Sequence, residues 1–151
     1  MTTIYKNQES KKVTGSQGIL KKIFVLTGVG GLAFWLVNFV ISRTTIAADY
    51  RAAMSISYYP MLLEALIGGL IIGFWVSYLL LRFFDRIPVK DPIIKSVILS
   101  SILLVIFTIV VGNPSSFSAT GNVWRYFIIG TVFNLIRSLA LGVAIGYVCK
   151  Q

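Results

Sequence analysis

Arg137 falls near the middle of an apolar run, and Glu64 about one turn inside the start of another; they are the ionisable residues that interrupt otherwise hydrophobic stretches. An arginine at the centre of a bilayer costs at least ~2.5 kcal/mol, so it must face protein or water and find a partner. Counting 1.5 Å per residue from the common end of the two runs puts Arg137 ~17 Å deep and Glu64 ~27 Å deep. A direct pair therefore needs tilt or a bridging water. Asn134, one turn from Arg137, and Asn38 reach nearly equal depth and complete a polar cluster. Two roles follow. The four residues line a hydrated pathway or anion site, or Arg137 is a clamp whose pairing with a carboxylate, an amide or a carbonyl fixes helix register within the chain or against a neighbouring subunit. The clamp or subunit contact is the expected role and the pathway its alternative.

Little else in the chain is equipped for chemistry. General acid–base work needs a group titrating near neutrality, and the chain has no His and five carboxylates. Cys149 is the only cysteine, which rules out an internal disulfide; no Cys and His set exists for zinc, haem or an iron–sulfur cluster. No enzyme activity, metal or cofactor is expected. Gly28-Val29-Gly30-Gly31-Leu32-Ala33 matches a G-x-G-x-x-A dinucleotide fingerprint, with Asp49 downstream. That fingerprint works only as a strand, tight turn and helix start followed by further βαβ units, whereas this apolar run continues to Ile41. Glycine packing inside a membrane helix is the expected use.

The elements that must position these residues are four apolar runs, approximately 23–42, 60–82, 93–112 and 124–148. Each reaches the ~20 helical residues that span a hydrocarbon core of ~30 Å. Hydrophobic residues make up 56% of the 151-residue chain and charged ones 13%, well below the ~25% of an ordinary soluble protein, which supports the same class independently. The fold class is all-α: a polytopic integral membrane protein built as an antiparallel bundle of four transmembrane helices, with a short outer interfacial helix. Residues 23–149 form its single domain, preceded by a polar basic tail, 1–22.

Small residues recur every four positions. Ala65, Gly69, Gly73 and Ser77 form one row, Gly130, Asn134, Ser138, Gly142 and Gly146 a second, and Ser96, Ser100, Thr108 and Gly112 share a face. In lipid, where the hydrophobic drive between helices is weak, such rows permit the close backbone approach that holds helices together. Spacing alone does not say whether the partner helix belongs to this chain or to another in a homo- or hetero-oligomer.

The net charge of +9 is distributed by side rather than by patch. Lys6, Lys11, Lys12, Lys21, Lys22, Arg82, Arg86, Lys90, Lys95 and Lys150 lie on one side, against Arg43, Arg51 and Arg125 on the other. The positive-inside rule puts both termini in the cytoplasm of a multi-pass cell-membrane protein, with the basic side against anionic lipid head groups and no role for nucleic acid. Between the first two spans, Ile46, Tyr50, Met54 and Tyr58 recur at four-residue spacing, as in a helix lying along the interface with its aromatic side among head groups. Asp91 and Pro92 read as an N-cap and first helical residue. Gly112 to Val123 reads as an uncharged turn, with Trp124, Tyr126 and Phe127 in an outer aromatic belt. Packing rows without chemistry point to a non-catalytic accessory subunit or assembly factor of a membrane complex. The alternative is a small oligomeric transporter or channel for an anion or small solute, with Arg137 in the pathway.

Overall fold

The computed structural model describes residues 2–86, 88–111 and 123–151; the connection 112–122, including Gly112 of the third row, lies outside them. The helices are α1 (Thr2–Ser42), α2 (Thr45–Ala53), α3 (Tyr58–Phe83), α4 (Pro92–Val111) and α5 (Val123–Lys150), with a 3-10 turn at Phe84–Arg86 and no strand among the described residues. Four segments are long and apolar enough to cross a membrane: Gly18–Ser42, Tyr58–Phe83, Pro92–Ile109 and Trp124–Lys150, of 25, 26, 18 and 27 residues. The chain is a multi-pass four-helix membrane bundle. α1 runs back to Thr2, so the polar amino-terminal segment continues the helix; extending a formed helix through Lys, Gln, Glu and Ser is far cheaper than starting one. The glycine fingerprint lies inside α1, where there is no strand or turn to cradle a dinucleotide.

α1 packs on α3 and α5, and α4 packs extensively on α5 and less so on α3, so the four spans form a ring. Both glycine-rich rows point into it. On α3, Gly69 and Gly73 let α1 approach until a methyl group on either would sit 3.2 Å from a backbone oxygen, that of Gly31 or Thr27. On α5, Ser138, Gly142 and Gly146 meet the serine face of α4. Ser96 Oγ donates to the Gly142 carbonyl at 2.5 Å, and Ser138 Oγ to the Ser100 carbonyl at 3.0 Å. Gly30 and Gly31 serve two interfaces at once, since Gly30 faces Ile145 and Leu141 of α5 while Gly31 faces Leu70 of α3. Ala65, Gly69, Gly73, Ser77, Ser138, Gly142 and Gly146 are all buried within the single chain. The partner helix that spacing left open is internal for these rows.

The packing is lopsided along the bundle axis. At the end that carries both termini, Lys95, Ser96 and Ser100 of α4 are buried, whereas Val105, Ile106, Phe107, Thr108 and Ile109 toward the opposite, far end are all exposed. The serine face thus stops short of Thr108. α4 is thus closely packed on α5 at one end and bare at the other, which leaves space beside it in the far half.

Lys95, one of the basic residues that the charge distribution assigns to the head groups, is only 5% exposed. Its ammonium donates to the carbonyl of Phe84, just past the end of α3, and lies 3.7 Å from the Phe84 ring centroid. A cation there meets carbonyls left without helical partners and the negative end of the α3 dipole. Asp91 caps the other side of the turn, its Oδ1 accepting from Ile93 N–H at 2.9 Å ahead of Pro92. Replacing Lys95 with Met keeps the apolar stem and removes the charge. We expect it to lower unfolding stability by about 1.5–3 kcal/mol, the worth of a charge-assisted hydrogen bond, when unfolding is followed in detergent.

α2 is held at the far end by its own caps. Thr44 Oγ1 accepts from Ala47 N–H at 3.2 Å and donates to the Ile41 carbonyl at 2.7 Å, and Arg51 Nη1 donates to the carbonyl of Ser42, the last residue of α1, at 2.9 Å. At its other end Ser55 N–H bonds to the Ala52 carbonyl and Ile56 N–H to the Arg51 carbonyl, closing α2 as a Schellman motif. Ser55 takes φ 53°, the left-handed conformation that glycine adopts without steric cost. Ser55→Gly should therefore raise thermal stability, by about 1 kcal/mol.

Candidate functional site

The short helix α2 turns part of its aromatic side into the bundle. Ile46 is 53% exposed, but Ala47 is buried and Tyr50, on the same face as Ile46 by spacing, turns into the bundle. Its ring packs 6.3 Å from Tyr126 and 6.1 Å from Phe133, centroid to centroid, and its hydroxyl sits against Gly130, where a methyl would come within 3.0 Å. Met54 caps α2 and Tyr58 begins α3, so the four-residue spacing runs across two helices. Gly130, expected to pack another span, instead makes room for this tyrosine. Burial holds the Tyr50 hydroxyl above the ordinary tyrosine range, against the opposing pull of the nearby Arg137 charge. It is a neutral phenol, able both to donate and to accept.

Tyr50 separates two cavities in the open far half. One, of about 240 Å³, lies between Phe34, Ile72, Leu104, Phe107, Thr108, Phe127, Gly130, Thr131 and Asn134, and is chiefly apolar. The other, of about 140 Å³, lies beneath α2 and is lined by Asn38, Ile41, Ser42, Ala47, Arg51, Ile56, Met61, Phe133 and Arg137 as well as Tyr50. Each has room for several waters or for an ion of a few atoms.

Arg137 is the middle residue of its span, Trp124–Lys150, and its side chain leans back along α5 toward the far end, as helical side chains do. Its Nε donates to the carbonyl of Phe133 at 3.1 Å, and its guanidinium carbon lies 5.7 Å from the Phe34 ring centroid. Neither contact neutralises the charge. Among the described residues no carboxylate forms an ion pair with it. Glu64 sits on an exposed face of α3 and does not line the Arg137 cavity. Asn38 does line it. It is 2% exposed, and its amide Nδ2 has no hydrogen-bond partner, an orphan state shared by Thr27 Oγ1 and Tyr58 Oη.

The four polar residues singled out from the sequence therefore separate. Arg137 and Asn38 share one cavity, Asn134 faces the other across Tyr50, and Glu64 stands apart. Sequence reasoning missed Tyr50, a polar residue unremarkable in a connection, and Ser42, the last residue of the first span; the signal for Tyr50 was the glycine at 130, which clears a place for a ring. The assembled site offers a guanidinium, an amide nitrogen and a phenol, with donors in excess of acceptors. Such a set binds an anion by charge-assisted hydrogen bonds. It supplies no nucleophile paired with a base, and among the described residues no group of His, Cys, Asp and Glu is placed to hold a metal. No protein-family model, curated protein or solved structure matches this chain.

Proposed function

We propose that the chain is a non-catalytic membrane protein that takes a small anion into the far-end cavity at Arg137, acting as a small transporter or channel for halide or small carboxylate ions. The observation that carries this reading is a positive charge in mid-membrane, with no carboxylate among the described residues forming an ion pair with it, lining a cavity beside the unsatisfied amide of Asn38. An ionisable residue in a span is a functional position by default. The basic, terminus-bearing end belongs in the cytoplasm against anionic head groups, which puts the cavity on the outer side. The test is anion flux from chloride- or acetate-loaded vesicles holding the purified protein. Flux should exceed that of protein-free vesicles, fall to their level with Arg137→Leu, and survive in part with Arg137→Lys, which keeps the charge but loses the planar fork. Equal flux through wild type and Arg137→Leu sinks the proposal.

An accessory subunit is the second reading. The buried rows do not argue for it, but the bare far half of α4 from Val105 to Ile109 does, as a face open to a neighbouring chain. Under that reading Arg137→Leu changes which proteins co-purify from native membrane and leaves anion flux untouched.

A further inference from the structure

A third cavity, larger than either of those described, opens at the terminus-bearing end, opposite the far half that holds the other two. It has a volume of about 680 Å³ and lies where the first turns of the α1 span meet the ends of α3 and α5. Val25, Leu81, Phe84 and Val148 make its floor, and Lys21 and Lys22, both exposed, stand on its rim. Among the described residues no Asp or Glu side chain lines it. The floor is of one chemistry and the rim of another, and the lysines sit at the start of the span, the level of lipid phosphates.

We infer that this groove is a binding site for one anionic phospholipid, its phosphate held by Lys21 and Lys22 and an acyl chain laid on the apolar floor. The inference rests on the basic end facing the head-group layer and goes further, because it commits to a bound lipid rather than a diffuse attraction. A free phosphate would use the rim and leave the floor in water. A zwitterionic lipid would use the floor and bring no net charge to the lysines. Only an anionic lipid satisfies both. Each lysine near a membrane surface favours anionic over neutral lipid several-fold, so the pair should give a preference of roughly tenfold or more.

The test uses the full-length protein in mild detergent, with bound lipid counted by native mass spectrometry. Short-chain phosphatidylglycerol, short-chain phosphatidylcholine and inorganic phosphate are the probes. Wild type should bind one phosphatidylglycerol with at least tenfold preference over phosphatidylcholine, and millimolar phosphate should not displace it. Lys21→Gln with Lys22→Gln should remove that preference. Gly18→Trp should block binding while keeping both lysines, because Gly18 lines the groove and a Cβ there meets nothing within 4 Å, which leaves the indole room to enter the groove. Lys90→Gln with Lys150→Gln removes the same charge from exposed positions outside the groove and should leave binding intact. Equal loss in the two lysine pairs, or unchanged binding in Gly18→Trp, overturns the groove and leaves the general head-group contact standing. Displacement by phosphate alone identifies an ion site and overturns the lipid. No preference for phosphatidylglycerol in wild type overturns both.

Discussion

Arg137→Leu should abolish anion binding at the far-end cavity and leave the bundle as stable as wild type or more so. The combination separates a site from a clamp. Where an arginine is clamped to a buried carboxylate, removing it strands the opposite charge and costs about 3–5 kcal/mol. Here no such partner exists among the described residues, and Glu64 is on an exposed face of α3. Leucine at this position gives up a bond to the Phe133 carbonyl and a guanidinium over Phe34, the latter worth about 0.5–2 kcal/mol. Against them stands the ~2.5–3.5 kcal/mol that a central arginine costs on insertion scales. The two nearly cancel or favour leucine. Binding behaves differently, because hydrogen bonds from a charged donor are worth about 1.5–3 kcal/mol, or roughly 10- to 150-fold in affinity. Thermal unfolding in detergent, scanned with rising chloride or acetate, reads both quantities. Wild type should shift upward with anion and Arg137→Leu should not shift at all, from an equal or higher starting point. A large destabilisation with no change in the anion response would identify Arg137 as structural.

Depth was legible in the sequence; direction was not. The 1.5 Å rise per residue fixes how far along a span each side chain sits, so Arg137 is found at mid-span and Asp91–Pro92 at the start of α4 as expected. Which neighbour a face meets depends on how four helices pack round one another, and that is a property of the whole ring. Four-residue spacing showed that Gly69, Gly73, Gly142 and Gly146 share packing faces but left their partners open, and those partners prove internal. The same limit hid that Glu64 stands on an exposed face of α3, away from the Arg137 cavity, beyond the ~10 Å difference in depth that the helical rise gives. Lys95 illustrates a second limit. In a count of charges by side it is one lysine among many, and its burial follows from the α3 terminus ending within its reach, eleven residues earlier in the chain. Tyr50 is the third case, since period-four spacing assigns it to one face with Ile46, while the caps that tie α2 to α1 rotate that face inward.

The seam between α4 and α5 should be the least tolerant of added volume anywhere in the bundle. A methyl on Gly142 would stand 2.6 Å from Ser100 Oγ, 2.9 Å from Val97 Cα and 3.1 Å from Val97 N; on Gly146 it would collide with Ile93 Cα and Ser96 Oγ and come within 2.9 Å of the Pro92 carbonyl. Most of these obstacles are backbone, which moves only if α4 moves. Shifting α4 away would break the bonds from Ser96 to the Gly142 carbonyl and from Ser138 to the Ser100 carbonyl, which hold the same seam. Overpacking a tight interface costs about 1–3 kcal/mol, and Gly142→Ala and Gly146→Ala should each fall at the upper end, with the double variant unfolding well below either. Gly30→Ala should cost less, because what it meets are side-chain atoms rather than backbone: Ile145 Cδ1 at 2.7 Å and Cγ1 at 2.8 Å, and Leu141 Cγ at 3.3 Å. Gly28→Ala and Gly68→Ala meet nothing within 4 Å and should gain up to ~1 kcal/mol from helix propensity. The order of unfolding midpoints across these five single variants is thus set by what each new carbon touches. If Gly142→Ala proves no worse than Gly68→Ala, α4 and α5 are not in backbone contact. The lopsided bundle that leaves the Arg137 cavity open at its far end would then lose its cause.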